Sequence, residues 1–114
     1  MDIKQISEHL SVSPQLLPSE LPDVAAAGFK SIICNRPDGE ADDQPAFADI
    51  EAVATANGLA VRYIPVTPDL MSPELAATFG QAVSDLPGPI LAYCRTGNRS
   101  AMMWTMSQAA QAGA

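Results

Sequence analysis

The sequence predicts an α/β fold with a mostly parallel β-sheet and helices packed on both of its faces. Strand-like apolar runs alternate with helical patterns along the 114 residues. One of these runs, KSIIC, is apolar after its lysine and serine, which is typical of a strand buried on both faces. A regular alternation of strand and helix forms a parallel sheet, because each helix returns the chain across the sheet in a right-handed crossover.

Length and composition indicate one globular domain, residues 1–114. A chain of this length can bury a single two- or three-layer core. Hydrophobic residues make up 47% and charged residues 17% of the chain, and the mean hydropathy is +0.08. The apolar runs are too short to span a bilayer, and the N-terminal segment lacks the apolar core of a signal peptide. We therefore expect a cytoplasmic protein that does not enter a membrane.

Charge and the supply of metal ligands exclude several classes of function. Thirteen acidic and six basic residues give a net charge of −7, which argues against nucleic acid or an anionic membrane as the partner. The two cysteines and single histidine do not follow metal-ligand spacing. We expect neither a metal nor a cofactor, and the sequence carries no signal for an oligomeric state.

The first half of the chain is predicted to form two strands and two helices. Residues 9–12 form a short strand, and residues 19–27 form a helix that begins with a capping serine and ends before a glycine. Residues 30–34 form the buried strand, which a polar loop with the sequence NRPDGE follows. Residues 45–57 form the second helix, since apolar side chains recur at helical spacing before an Asn-Gly stop.

The second half repeats this order. Residues 59–66 form a strand, and Ser72 with Pro73 supplies a capping hydroxyl and a first-turn proline for the next helix. That helix has an apolar stripe formed by Leu75, Phe79, Ala82, Val83 and Leu86. Residues 89–93 form the last strand, and a helix over 101–112 follows. This last helix is apolar on more than one face, so we expect it to be the buried central helix.

Three polar loops are predicted to meet at one edge of the sheet. Ligands of open α/β sheets bind beyond the carboxyl ends of the strands. The loops that begin at Asn35, Thr67 and Cys94 fit that position. Half of the cations also follow predicted strand ends, namely Arg36, Arg95 and Arg99. We therefore expect a local anion site on an otherwise acidic molecule.

The segment CRTGNRS, residues 94–100, joins the last strand to the last helix. Backbone N–H groups in such a turn are unpaired, and the helix dipole adds roughly half a positive charge there. Both favour a bound anion and the thiolate form of Cys94. Arg99 can fold back over the thiolate and bind an oxyanion, and Gly97 permits a close backbone approach. The predicted anion-binding residues are Arg95, Thr96, Gly97, Asn98, Arg99, Ser100 and Arg36.

A simpler interpretation makes Cys94 a small buried residue at a strand end and leaves the arginines solvated. Ser100 also has two possible uses, as a helix cap or as a donor to a leaving thiolate. Arg36 either binds substrate or pairs with nearby acids. The acidic side chains after it are interpreted as a solvated loop that contains Asp38, Glu40, Asp42 and Asp43.

CRTGNRS, the loop NRPDGE and the opening LSVSPQ, in this order and spacing, resemble the bacterial beta-lactamase-hydrolase-like phosphatase domain family. This family is a compact relative of the dual-specificity cysteine phosphatases, and the resemblance covers nearly the whole chain. It implies a four- to five-stranded dual-specificity-phosphatase-like fold. It also implies Cys94 as nucleophile, the backbone of residues 94–99 as phosphate cradle and Arg99 as oxyanion clamp. The family is also described as sulfurtransferase-like, and similar domains occur fused to metallo-beta-lactamase-type hydrolases.

Two features depart from the usual cysteine-phosphatase signature. Four residues instead of five separate Cys94 from Arg99, and Tyr93 replaces the histidine before the cysteine. The shorter loop resembles that of single-domain rhodaneses, which suits a persulfide. We expect a cysteine-dependent phosphatase that acts on phosphomonoesters through a cysteinyl phosphate. The alternatives are a rhodanese-like sulfurtransferase that uses a Cys94 persulfide and a non-catalytic anion-binding module. Each takes a small anionic ligand, a phosphate ester or a sulfane sulfur donor.

The resemblance also suggests a general acid and a redox partner. Asp69 stands where related phosphatases carry the acid, although a loop acid before a helix start explains it equally well. Asp38 is the second candidate, and an Asp-Gly turn is its simpler interpretation. Cys34 ends the neighbouring strand, where some related phosphatases keep a backdoor cysteine that forms a reversible disulfide with the nucleophile. The simpler interpretation of Cys34 is a buried strand residue.

Overall fold

A five-stranded sheet forms the centre of the computed structural model, which describes residues 2–112. The strand order is β1-β2-β5-β3-β4, and β1 pairs with β2 in the antiparallel direction while the other pairs are parallel. The strands are β1 (Lys4–Gln5), β2 (Leu10–Ser13), β3 (Ser31–Cys34), β4 (Ala60–Tyr63) and β5 (Ile90–Tyr93). The helices are α1 (Leu21–Ala26), α2 (Phe47–Ala56), α3 (Pro73–Asp85) and α4 (Asn98–Ala112).

The four parallel strands end at one edge of the sheet. Tyr93, the last residue of β5, is aligned with Ser13 of β2 on one side and with Cys34 of β3 on the other. Cys34 is in turn aligned with Tyr63 at the end of β4. This register places the loops after β3, β4 and β5 side by side, as expected from the sequence.

Helices cover both faces of the sheet. Along β5, Ile90 and Ala92 join the apolar cluster that includes α3 and α4, whereas Leu91 and Tyr93 join the cluster that includes α1 and α2. Alternate side chains of a strand point to opposite faces, so both faces of β5 are buried. The predicted α/β class, the mostly parallel sheet and the two helical layers are confirmed.

Four elements differ clearly from the predictions, and one of them is β4, which ends at Tyr63 and not at residue 66. Strand β1 was missed, since two exposed polar residues at an edge have no apolar alternation. The helix predicted over 19–27 begins instead as a 3₁₀ turn, Pro18–Glu20. The Leu17 N–H donates to Glu20 Oε1 at 2.8 Å, so a glutamate carboxylate caps this segment and the predicted serine does not. Helix α4 begins at Asn98, three residues earlier than predicted, because Ala101 N–H already donates to Gly97 O.

The predicted start of α3 is confirmed. Ser72 accepts a hydrogen bond from Leu75 N–H at 3.1 Å, and Pro73 occupies the first helical position. Phe79 and Ala82 of the predicted stripe are buried against α4 and the sheet. Within residues 2–112, no helix is both long and apolar enough to cross a bilayer.

Candidate functional site

Cys94 lies at the carboxyl end of β5, where the chain leaves the centre of the sheet. Its side chain is fully buried, and the loop over residues 94–97 folds around it before α4 begins. The Gly97 N–H donates a hydrogen bond to Cys94 Sγ at 3.0 Å. The loop therefore wraps the sulfur with backbone donors, as expected from the strand, turn and helix arrangement.

The environment of Cys94 favours its thiolate. Burial opposes ionisation of the thiol, but hydrogen bonds from the backbone N–H groups of Ser100, Thr96, Arg99 and Gly97 outweigh burial and lower its pKa below the ordinary value. Hydrogen bonds to the charged form stabilise that form. A thiol held in this way is the nucleophilic species at a lower pH than a free cysteine.

Gly97 allows the loop to close. Its φ is +95°, and a Cβ atom at this position would lie 3.3 Å from the backbone oxygen of Ser13 at the end of β2. The adjacent backbone is also fixed, since Asn98 N–H donates to Thr96 Oγ1 at 3.3 Å and Gln15 N–H donates to Arg95 O at 3.3 Å. A side chain at position 97 therefore meets backbone that has little room to move.

Arg99 is held by two groups from other loops. Its Nη1 donates to Glu40 Oε2 and to Val66 O, the latter at 2.8 Å, and its Nη2 donates to Glu40 Oε1 at 2.9 Å. Glu40 is the main reason that the pKa of Arg99 is raised, and the nearby Cys94 thiolate adds to the effect. The guanidinium is therefore tied to the loops after β3 and β4 and lies near the sulfur.

Glu40 is a site residue that the sequence analysis missed. Its carboxylate binds Arg99 with two hydrogen bonds and also accepts from Arg36 Nε at 3.1 Å. The hydrogen bond from Arg99 is the main reason that the pKa of Glu40 is lowered. The prediction of a uniformly solvated acidic loop was wrong at this position. No local pattern indicates this contact, because Arg99 is 59 residues away in the chain.

The three predicted arginines separate into two groups. Arg36 is buried at 6% exposure, and its Nη1 donates to Gln15 Oε1 at 3.1 Å in addition to the Glu40 contact. Arg36 and Arg99 thus converge on one carboxylate. Arg95 is exposed, and its backbone oxygen, rather than its guanidinium, is bonded within the loop.

Ser100 connects α4 to β3. Its hydroxyl is fully buried and donates to Asn35 Oδ1 at 2.8 Å, and Asn35 Nδ2 donates to Ile64 O at 2.9 Å. The Ser100 hydroxyl proton is thereby directed to Asn35, whereas its backbone N–H faces the Cys94 sulfur. The sequence marks Asn35 only as the start of a loop, whereas its buried side-chain amide links three segments of the site.

The two candidate acids, Asp38 and Asp69, differ in their hydrogen bonds and in their exposure. Asp38 Oδ1 accepts from Phe47 N–H at 2.8 Å at the start of α2, so this carboxylate caps a helix. Asp69 is exposed in the 3₁₀ turn Pro68–Leu70, on the loop whose first residues follow Val66. The nearby Thr67 hydroxyl is the main reason that the pKa of Asp69 is lowered, although this hydroxyl makes no hydrogen bond of ordinary distance and angle to the described residues.

Cys34 and Tyr93 face the layer of α1 and α2. Both cysteines are free thiols, and Cys34 Sγ donates to Arg36 O at 3.3 Å. Burial is the main reason that the pKa values of Cys34 and Tyr93 are raised. Cys34 is aligned with Tyr93, one residue before Cys94, so a disulfide with Cys94 requires a rotation of side chains and stays a prediction. Across residues 2–112, no three His, Cys, Asp or Glu side chains are grouped to hold a metal ion.

Two comparisons relate this sequence to known proteins. Residues 2–111 match the family model described as the phosphatase-like domain of beta-lactamase hydrolase-like proteins. Beta-lactamase hydrolase-like proteins of Agrobacterium fabrum and Xylella fastidiosa (strain Temecula1) are 32% identical over 109 residues and 33% identical over 108 residues. These matches cover 96% and 95% of this chain but 25% of each relative. The chain thus spans about a quarter of the length of these relatives.

Solved structures share the fold. A candidate phosphatase from Neisseria meningitidis superposes with a TM-score of 0.91 at 39% identity, over 97% of this chain and 79% of that chain. The core catalytic domain of a PP-IP phosphatase from S. cerevisiae, in complex with citrate, gives 0.71 at 14% identity over 90% and 62% of the two chains, which shows the fold alone. Because the family model matches nearly all of its residues, the chain belongs to the phosphatase-like domain family of beta-lactamase hydrolase-like proteins.

Proposed function

We propose that this domain is a cysteine-dependent phosphomonoester hydrolase that works through a cysteinyl phosphate. Its family and its solved relatives support a phosphatase-type function. The observation that carries the mechanism is the Cys94 thiol, which is ringed by backbone N–H groups that lower its pKa. The same N–H groups are the donors that a phosphoryl group needs once it is bonded to the sulfur.

The reaction has two steps. The Cys94 thiolate attacks phosphorus, the S–P bond forms, and the P–O bond to the leaving group breaks as an acid protonates that oxygen. Water then attacks phosphorus, the S–P bond breaks, and inorganic phosphate and the thiolate are released. The backbone N–H groups of residues 94–99 and the Arg99 guanidinium stabilise the charge on the equatorial oxygens in both steps.

Asp69 is the proton donor in this proposal, and Asp38 is the second candidate. The loop that carries Asp69 starts beside Arg99, because Val66 O accepts from its guanidinium. The Asp38 carboxylate already accepts the Phe47 N–H, so moving it to a leaving group sacrifices a helix cap. Because the pKa of Asp69 is lowered, its protonated form in the free protein is populated only at a lower pH than that of an ordinary aspartate.

The test of the acid uses leaving groups of different basicity. Asp69→Asn should slow hydrolysis of phenyl phosphate by roughly 10²–10⁴-fold, the usual contribution of a general acid. Nitrophenyl phosphate should be affected much less, because its leaving oxygen needs little protonation. Asp42→Asn removes an equal charge from another exposed position and serves as the control. Equal slowing of both substrates by Asp69→Asn, or slowing only by Asp38→Asn, removes Asp69 from the mechanism.

Sulfur transfer is the competing reaction, since four residues between Cys94 and Arg99 make a tight loop. Wild type and Cys94→Ser are assayed side by side with an aryl phosphate and with thiosulfate plus cyanide. We expect turnover of the aryl phosphate that requires Cys94, and Cys34→Ala, which removes the other thiol, should retain it. Cys94-dependent thiocyanate formation without phosphate release contradicts the proposal in favour of sulfur transfer. No Cys94-dependent turnover in either assay identifies an anion-binding module.

A further inference from the structure

We infer that Glu40 is a positioning residue that orients Arg99, so that one side of the guanidinium stays free for the oxyanion. This inference rests on the proposed function, since it assigns a role to a contact within the same site. The contact is a two-point hydrogen bond from Arg99 to the Glu40 carboxylate, which comes from the loop after β3.

A count of the donors of Arg99 supports this role. A guanidinium has five N–H groups in a fixed planar arrangement. Nη1, on the Cδ side, uses both of its N–H groups, one on Glu40 and one on Val66 O. Nη2 uses one N–H on Glu40. The pair left over, Nε–H and the second N–H of Nη2, lies along one edge of the planar group and matches two oxygens of a tetrahedral anion.

The free pair of donors lies on the edge of the guanidinium that Glu40 and Val66 leave open. Cys94 is among the groups that raise the pKa of Arg99, behind Glu40, through the negative charge of its thiolate, so the sulfur lies near the guanidinium. Glu40 and Val66 occupy three donors of Arg99, and no other described residue accepts from the remaining pair. A phosphoryl group on the sulfur can then meet Arg99 without displacing the carboxylate.

Glu40 lies in a loop that is fixed by three hydrogen bonds. Asp38 Oδ1 accepts from Phe47 N–H at 2.8 Å, and Asp38 N–H donates to Tyr63 Oη at 2.9 Å. Gln44 Nε2 donates to Pro37 O at 2.9 Å, which closes the loop on itself. A carboxylate presented from a fixed loop can hold a long arginine side chain in one rotamer.

Arg36 fixes the carboxylate from the other side. Its buried guanidinium donates to Glu40 Oε1, the oxygen that also accepts from Arg99 Nη2. Arg36, Arg99 and Glu40 together carry one net positive charge, which balances the charge of the Cys94 thiolate. A competing role for Glu40 is that of an internal anion, which would occupy the place of the substrate and weaken its binding.

The two roles predict opposite effects of Glu40→Gln. Tungstate, a tetrahedral oxyanion that is not hydrolysed, is titrated into the full chain by calorimetry. If Glu40 positions Arg99, the variant should raise the Kd for tungstate and lower kcat/KM for nitrophenyl phosphate, each by roughly ten- to a hundredfold. If Glu40 competes with the anion, the variant should bind tungstate more tightly, which overturns the inference.

Three further variants make the test specific. Asp42→Asn removes the same charge from an exposed position of the same loop and should change either parameter by no more than about twofold. Glu40→Asp keeps the negative charge but shortens the side chain, so it should lose much of the affinity for tungstate. An affinity equal to that of the wild type overturns the inference, even if Glu40→Gln is too unstable to measure. In an Arg99→Lys background, Glu40→Gln should add no more than about a twofold loss, because its effect passes through Arg99.

The inference and the proposed function can fail separately. Tungstate binding needs no turnover, so it reports on Arg99 even in a domain that does not hydrolyse aryl phosphates. Absence of hydrolysis by the wild type, with tungstate affinity still reduced in Glu40→Gln, removes the proposed function and keeps the positioning role. Normal hydrolysis and tungstate binding in the variant remove the positioning role alone.

Discussion

The substitution Gly97→Ala should damage both stability and the reactivity of Cys94. Position 97 has φ of +95°, a conformation that costs a residue with a Cβ roughly 1–2 kcal/mol. The new Cβ would also lie 3.3 Å from Ser13 O, which is backbone at the end of a paired strand. Either β2 or the loop must shift by a few tenths of an ångström, and a shift of the loop moves the N–H that donates to Cys94 Sγ.

Gly28→Ala separates the cost of the positive φ from the cost of the close contact. Gly28 has a similar φ of +102°, but a Cβ there meets nothing within 4 Å. This control should therefore lose only the conformational term of roughly 1–2 kcal/mol. Gly97→Ala should lose a further amount of about 1 kcal/mol or more, comparable with other overpacked sites. The pKa of Cys94 should rise in Gly97→Ala and stay at its wild-type value in Gly28→Ala.

Two measurements check this prediction. Urea denaturation gives the free energy of unfolding of each variant, and the pH dependence of iodoacetamide alkylation gives the pKa of Cys94. Cys34 is followed separately by peptide mass analysis. If Gly97→Ala is as stable as Gly28→Ala and alkylates with the wild-type pH profile, then the close approach to Ser13 does not hold the loop in place.

Four further predictions concern the supports of the site. Asn35→Ala leaves buried polar partners without hydrogen bonds and should lower the free energy of unfolding by about 1–3 kcal/mol in urea denaturation. Ser72→Ala removes the cap of α3 and should cost about 1 kcal/mol in the same assay, without changing alkylation of Cys94. The pKa of Glu40 is lowered in the folded protein from an ordinary value of 4.5. Its ionised carboxylate therefore contributes stability above that value, and this contribution is lost as the pH falls through the lowered pKa. Glu40→Gln should make the free energy of unfolding in urea less dependent on pH in this acidic range. Mild peroxide should convert Cys94 to a sulfenic acid that condenses with Cys34 and releases water, seen as a loss of two hydrogens in intact mass; sulfinic or sulfonic acid alone contradicts the disulfide.

Local sequence patterns were sufficient to predict the four parallel strands and the loop around Cys94. Helix starts and stops depend on neighbouring residues, so the Ser72 cap and the glycine stops were readable from the chain. The loop geometry of CRTGNRS also depends on one contiguous strand, turn and helix. Its backbone donors and the favoured thiolate follow from that arrangement. Strand β1 was not readable, since two polar residues form an edge strand only because β2 offers a partner.

The sequence by itself determined the fold class, the position of Cys94 and the loop of backbone N–H donors around it, because each depends on residues close together in the chain. Only the tertiary structure decided which side chains support that loop. Glu40 meets Arg99 across 59 residues, and Asn35 meets Ser100 across 65 residues. Contacts over such separations are fixed by how the strands align at their carboxyl ends. The sequence therefore predicted a solvated Glu40, because its contact with Arg99 depends on the alignment of the strands.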